Sequence, residues 1–313
     1  MPNINIALLA GKQTSAGTLA SAMTALPVTD WQTELKKEIN QPKEHRYSQE
    51  EVQTVVQGNQ VEAWSAKGEF YYDTTPLLML SAFGAPTSVL AGGATTHTFK
   101  AQDLPPLLSL QWAVAGIQSY QSLDCVVDEL GLKYQADGNG TIEWSAKGMG
   151  MPETTISTPT PTYTTVRPFK SWMGAVTLGG SAYAKLVSME IVWKRNRSPM
   201  RVVNGTVAPN RFLAGARVAS LKAVLDFTST TDYVAATTLA TQAVVITFTD
   251  TATSIGASQN PALTLNLPNL VYTTHNLDFG GDTPLLAVNG LAKYDSASAT
   301  AFFLSVKNLT TSY

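Results

Sequence analysis

The stretch 130–148, LGLKYQADGNGTIEWSAKG, restricts the fold more than any other part of the chain. On the way in, Leu130, Leu132 and Tyr134 fall on one side, and Glu129, Lys133 and Gln135 on the other. On the way out, Ile142, Trp144 and Ala146 alternate with Glu143, Ser145 and Lys147. A period of two describes a strand with one buried face. Between the runs, a three-residue loop at Gly138-Asn139-Gly140 supplies the left-handed backbone position that such turns need. That loop length predicts Tyr134 opposite Trp144, Leu132 opposite Ala146 and Gln135 opposite Glu143. A slip by one residue would put Trp144 into water.

The chain repeats this hairpin in outline. LGLKY (130–134) is echoed by NGLAKY (289–294), and TIEWSAKG (141–148) by AFFLSVKN (301–308); Lys147 and Lys307 stand 160 residues apart. EAWSAKGEFYYDTT (62–75) is echoed by VASLKAVLDFTSTT (218–231), with Lys67 and Lys222 155 residues apart. PKEHRY (42–47) is echoed by APNRF (208–212), with Tyr47 and Phe212 165 apart. Each match is weak alone. Their common order and nearly constant offset predict two similar units in tandem, and 313 residues suit two units of roughly 150.

Hydrophobic residues make up 44% of the chain, enough for real cores. Charged residues make up only 14%, against roughly 25% in an ordinary soluble domain. A surface short of charge suits a chain covered by other subunits. A net charge of −2 gives no basic footprint for gripping nucleic acid, yet is compatible with DNA sliding past. Cys125 is the single cysteine, so no intrachain disulfide forms, and its neighbours Val126 and Val127 predict a buried thiol. The start MPNINIALLAGK lacks the pattern of a signal peptide, and no run approaches 18 apolar residues, so no membrane span is expected.

We divide the chain into an extended N-terminal arm (1–26), a first β-sandwich (27–150), a Pro/Thr-rich linker (151–167) and a second β-sandwich (168–313). The linker carries Pro152, Pro159 and Pro161 among Thr and Ser. Each sandwich holds one short helix. The first is signalled by Thr75 as N-cap, Pro76 at the first turn, LLMLSAF, and Gly84 as C-cap; the second is expected over 231–238. Two long polar segments, 41–59 and 198–215, are read as projecting loops. Many short strands with about one helix per half predict a mainly β fold of paired sandwiches.

No catalytic constellation emerges. His45, His97 and His275 are far apart with no second ligand at metal spacing. There is no GxSxG, CxxC, HExxH or P-loop. Asp137-Gly138-Asn139-Gly140 lacks the later positions of a calcium loop. Asp124, Asp128 and Glu129 read as a solvated strand face. The arginines of 195–211 suit phosphate or the carboxylates of a neighbouring subunit. No cofactor, metal or enzymatic activity is expected.

The ending LNLPNLVY…LAKYDSASATAFFLSVKNLTTSY resembles the C-terminus of major tail tube proteins of long, non-contractile phage tails. TTPLLMLSAFG and YQSLDCVVDELGLKYQADGNGTIEWSAKG are similar to the same family in pattern and order. The resemblance covers most of 60–313; the first sixty residues match poorly. It implies β-sandwich subunits joined side by side into rings, stacked into a tube in the virion that carries viral DNA. The protein would be made in the host cytoplasm. The partners it implies are further copies of the chain, a tape measure protein, and terminator or tail-tip proteins. Two sandwiches per chain imply a trimer with pseudo-sixfold symmetry.

On this reading Glu44, Arg46, Glu50 and Glu51 of the first loop meet Arg197, Arg201 and Arg211 of the second between rings. The polar face of the hairpin, Glu129, Lys133, Gln135, Glu143 and Lys147, lines the lumen. Alternatives are another ring-forming tail part, such as a hub or terminator, or a receptor- or carbohydrate-binding adhesin. In an adhesin, Trp31, Trp64, Trp112, Trp144, Trp172 and Trp193 would line a sugar site, but Trp64, Trp144 and Trp193 stand at core positions of strands.

Overall fold

The computed structural model describes residues 6–40, 55–115, 117–136, 140–203, 205–281 and 283–313. The alternating runs become strands. The first series is β1 (Ile6–Lys12), β2 (Thr24–Leu26), β3 (Asp30–Asn40), β4 (Val56–Glu69), α1 (Pro76–Ala82), β5 (Thr87–Ala91), β6 (Ala94–Lys100), β7 (Leu108–Val114), β8 (Gln118–Gln135), β9 (Glu143–Gly150) and β10 (Thr154–Ile156). The second is β11 (Gly174–Leu178), β12 (Ser181–Ala182), β13 (Leu186–Lys194), β14 (Ser198–Met200), β15 (Arg211–Leu213), β16 (Val218–Asp226), α2 (Thr231–Thr237), β17 (Thr241–Thr249), β18 (Ala262–Asp278), β19 (Leu285–Ala292) and β20 (Phe303–Asn308). The fold is mainly β, as the sequence predicts. Both helices form where their signals lie, α1 ending at Phe83 with Gly84 beyond it at φ +131°.

Seven antiparallel pairings occur in both series. β1–β2, β1–β7, β3–β4, β4–β9, β7–β8, β8–β9 and β8–β10 make up the first set. Their counterparts are β11–β12, β11–β17, β13–β16, β16–β19, β17–β18, β18–β19 and β18–β20. β8 and β18 are long because each serves two sheets. The first half of β8 pairs with β7 and β10, and its second half with β9. The switch falls near Asp124, held at φ +50°, whose carboxylate accepts the Gly17 N–H at 2.6 Å.

The series join at two places. β8 pairs with β13, and β6 pairs with β20. The first joint makes one continuous eight-strand sheet in the order β3-β4-β9-β8-β13-β16-β19-β18. Behind it lie the β2-β1-β7-β8-β10 strands and the β12-β11-β17-β18-β20-β6-β5 strands. The apolar residues form one cluster running through both series, with Trp144 and Trp193 each 1% exposed. Their indole N–H groups donate to the carbonyls of Glu69 and Ala82, which satisfies the polar end of each buried ring.

The 130–148 hairpin forms, but two residues out of the expected register. Leu132 faces Trp144, Leu130 faces Ala146 and Lys133 faces Glu143. An even shift keeps every side chain on its expected face. The cause is Ile142, which leaves the returning strand. Its N–H donates to Phe169 O at 3.1 Å and its carbonyl accepts the Phe70 N–H at 2.8 Å. The connection is therefore longer than three residues; Asp137, Gly138 and Asn139 lie outside the described residues.

Within the N-terminal segment, β1 pairs with β7 over seven positions and with β2 over three. One further expectation needs correction. The hairpin's counterpart is β18–β19, not 289–308. The Lys67–Lys222 match holds, since both sit in the same place in β4 and β16.

Candidate assembly surface

One face of the eight-strand sheet packs on the core and the other carries charge. Alternation sets Glu129, Lys133 and Gln135 of β8 and Glu143 and Lys147 of β9 on the outer face together. β13 adds Glu190 and Lys194, β16 adds Lys222, and Asp30 and Lys67 extend the face to β3 and β4. Each of the five lysines has an acid within 3.9 Å: Lys67 with Asp30, Lys133 with Glu143, Lys147 and Lys194 with Glu129, and Lys222 with Glu190. Burial raises the Glu129 pKa, but hydrogen bonds from Lys194 and Lys147 outweigh it and hold the carboxyl below its ordinary range. The strip carries both signs, five lysines against four acids, so its charges nearly cancel. Among the described residues, the sheet ends in two unpaired edges, β3 and the second half of β18.

A profile of the family described as phage tail tube protein matches residues 3–292. The chain belongs to that family. It is thus a structural component of a virion tail. Comparison with curated proteins finds no match.

The tail tube chain fastens its two series with a buried arginine and a half-buried one. Arg195, fully buried, donates to Gln102 O at 2.7 Å and Asp103 O at 3.2 Å. Arg197 donates to Val127 O and to Ser81 O, each at 3.1 Å, and its backbone N–H to Asp128 Oδ1. Burial first, and then the neighbouring cations, Arg217 and Arg195 respectively, lower these guanidinium pKa values to about 10. Arg197, expected between rings, therefore spends its donors inside its own chain. Basic residues at 195–211 looked like one surface cluster because burial is not written in charge.

The segment after β13 is not one loop, since β14 and β15 pair within it. Arg201 donates to Val207 O at 3.0 Å, and Gln60 N–H on β4 to the same carbonyl at 2.9 Å. Arg211 is exposed, with its Nε near Met200 Sδ. Glu44, Arg46, Glu50 and Glu51 lie outside the described residues.

Cys125 is fully buried, and burial pushes its thiol up to about 12. Asp124 and Asp128 serve backbone N–H groups rather than a carboxylate cluster. Trp31, Trp64 and Trp112 pack against one another, and Trp172 alone of the six is exposed. No group of described residues could hold a metal, and no described helix is long and apolar enough to cross a membrane.

Proposed function

We propose that this chain is the ring-forming unit of a tail tube, with three copies closing each ring in pseudo-sixfold symmetry and stacked rings forming the conduit for viral DNA. The reading divides the chain into two tandem sandwiches, the first running from β1 to β10 and the second from β11 to β20. One observation carries it. Two strand series with the same seven pairings lie edge to edge through β8–β13, and the strands left unpaired at the ends, β3 and β18, are the counterparts of β13 and β8. Repeating the internal joint between copies would close the sheet into a cylinder and remove its exposed edges.

The charged face of the eight-strand sheet then lines the lumen. Its nearly balanced charges give a passing polyanion little net attraction, so DNA is not held by released counterions. Ring stacking falls to the segments at the ends of the sheet, with Arg211 among the stacking residues. A tape measure protein inside the tube, and terminator and tail-tip proteins at its ends, are the partners such a tube takes.

Negative-stain electron microscopy of the purified protein tests this. Long tubes are expected, with rings of threefold mass. Dispersed monomers at every concentration would overturn the reading. Tubes from an Arg211→Glu protein equal to the parent's would remove Arg211 from the stacking contact.

A further inference from the structure

We propose that Leu277 and Phe279 of one copy seat in an open pocket beside the β3 edge of the next copy. The proposal rests on the trimeric ring reading and adds to it a register and a knob. The internal joint supplies the template. Lys67 pairs with Asp30, and Lys222 with Glu190, so Asp30 stands where Glu190 does. Trp144 lies between Gly68 and Leu132, and Val288 between Ala223 and His275, so His275 stands where Leu132 does. Two residues on, Leu277 is the counterpart of Tyr134. In the internal joint Tyr134 faces Met189, whose counterpart is Thr29. Carried across to the next copy, Leu277 faces Thr29 and His275 faces Trp31.

The internal joint is filled, and its counterpart is open among the described residues. Tyr134 overhangs its own series and packs on Phe248, ring centroids 5.4 Å apart. Phe248 faces Gly174, the first residue of β11. At the matching end of β1, Ile6 faces Val114, and a cavity of about 570 Å³ opens there. Ile6, Ala7, Val28, Trp31, Ala113 and Ala115 give it an apolar side, and the segment 158–163, with Pro159, Pro161 and Tyr163, walls the other. At the other end of the sheet, Phe279, the residue just after β18, is 69% exposed and follows Leu277, which shares a side of the strand with His275. A large exposed apolar side chain just past a free strand end, and an open, partly apolar pocket beside the complementary edge, form a knob and a hole. The occupant is a second copy of this chain because the same contact already exists once within it.

The test places Thr29→Cys and Leu277→Cys in one chain; Cys125 is fully buried and takes no part. Oxidised rings should run as disulfide-linked species up to trimer on a non-reducing gel, and neither single variant should link. Phe279→Ser, at an exposed site, should leave the monomer folded and weaken ring association roughly tenfold or more. Tubes that form normally without the cross-link, or with a link confined to one chain, overturn the seat and leave the tube reading standing. Phe279→Ser rings as stable as the parent's would mean that something else fills the pocket, such as the chain's own first residues, and also overturn it. A parent protein that never forms rings overturns both readings.

Discussion

The two strand series share their pairings and differ in the segments between them. The first carries the β5–β6 hairpin after its helix, and 77 residues separate Lys67 from Trp144 where 66 separate Lys222 from Val288. The second pairs β14 with β15 between β13 and β16, at a place where residues 41–54 of the first lie outside the described residues. Both segments land on the other series. β6 pairs with β20, and the β14–β15 segment meets β4 at Gln60. They thus reinforce the joint that lies within a chain. The two arginines belong to the same joint. By register, Arg195 and Arg197 stand where the first series has Leu35 and Lys37, on the free β3 edge.

Packing differs at one matched place in a way that exposes the shared backbone. Trp64 of β4 lies opposite Gly148 of β9, where a Cβ would meet Val126 O at 2.1 Å and the Trp64 ring at 2.4 Å. Extending the second register puts Ala219 beside Ala292 instead. A large residue against glycine in one series has become two small ones in the other. The largest effect expected from breaking this comparison is at Gly148. Gly148→Ala should cost about 3 kcal/mol, because backbone as well as indole must move. Adding Trp64→Ala should recover part of that loss, since only the ring contact is relieved. Urea unfolding of the single and double variants measures both, and a neutral Gly148→Ala would show that the two series do not share this geometry.

A smaller loss is expected at the joint. Arg197→Met keeps the packing volume but leaves the carbonyls of Ser81 and Val127 without their donor, a cost of about 2 kcal/mol. Arg211→Met, on the exposed strand β15, should stay within about 0.5 kcal/mol. Thermal unfolding of the two variants side by side separates an arginine that fastens from one that is free to face a neighbour. Equal shifts would contradict that division.

How far the chain could be read from its letters follows the same line. Alternation fixed the buried faces of β8, β9, β13 and β16, and Pro76 fixed the start of α1, because each is a local constraint. The hairpin register was lost because Ile142 continues the alternation in sequence while its hydrogen bonds go to Phe70 and Phe169, far along the chain. The echo was misplaced because the offset drifts. It is 155 residues between Lys67 and Lys222, but 144 between Trp144 and Val288. The β5–β6 hairpin lengthens the first series between these two matches, so no constant spacing survives. The five polar residues of the hairpin were found together because period two decides their face. The hydrogen bonds that Arg197 makes within its own chain are not legible in the sequence, because nothing local marks which carbonyls a guanidinium reaches.

The smallest effect tests how the internal joint differs from the edges that meet between copies. Glu129 reaches Lys147 on β9 at 3.0 Å and Lys194 on β13 at 2.9 Å, so it ties the two series across the joint. At the matching free edges the register places Val271 and Glu34, which cannot form that bridge. Glu129→Gln should cost only about 0.5–1 kcal/mol, because both lysines are about half exposed and screened by solvent. The pH dependence has a definite sign. The Glu129 pKa is lowered from 4.5, so its contribution is complete above that value and fades as pH falls through the folded value. The Lys194 pKa is raised from 10.5 by Glu129, so its share is complete below that value and fades as pH rises through the folded one. The stability gap between parent and variant should therefore be flat across neutral pH, close at both extremes, and shrink with salt. Ring association through β3 and β18, lacking the bridge, should show no matching salt dependence. A gap that persists into acid would mean that Glu129 acts through packing rather than charge.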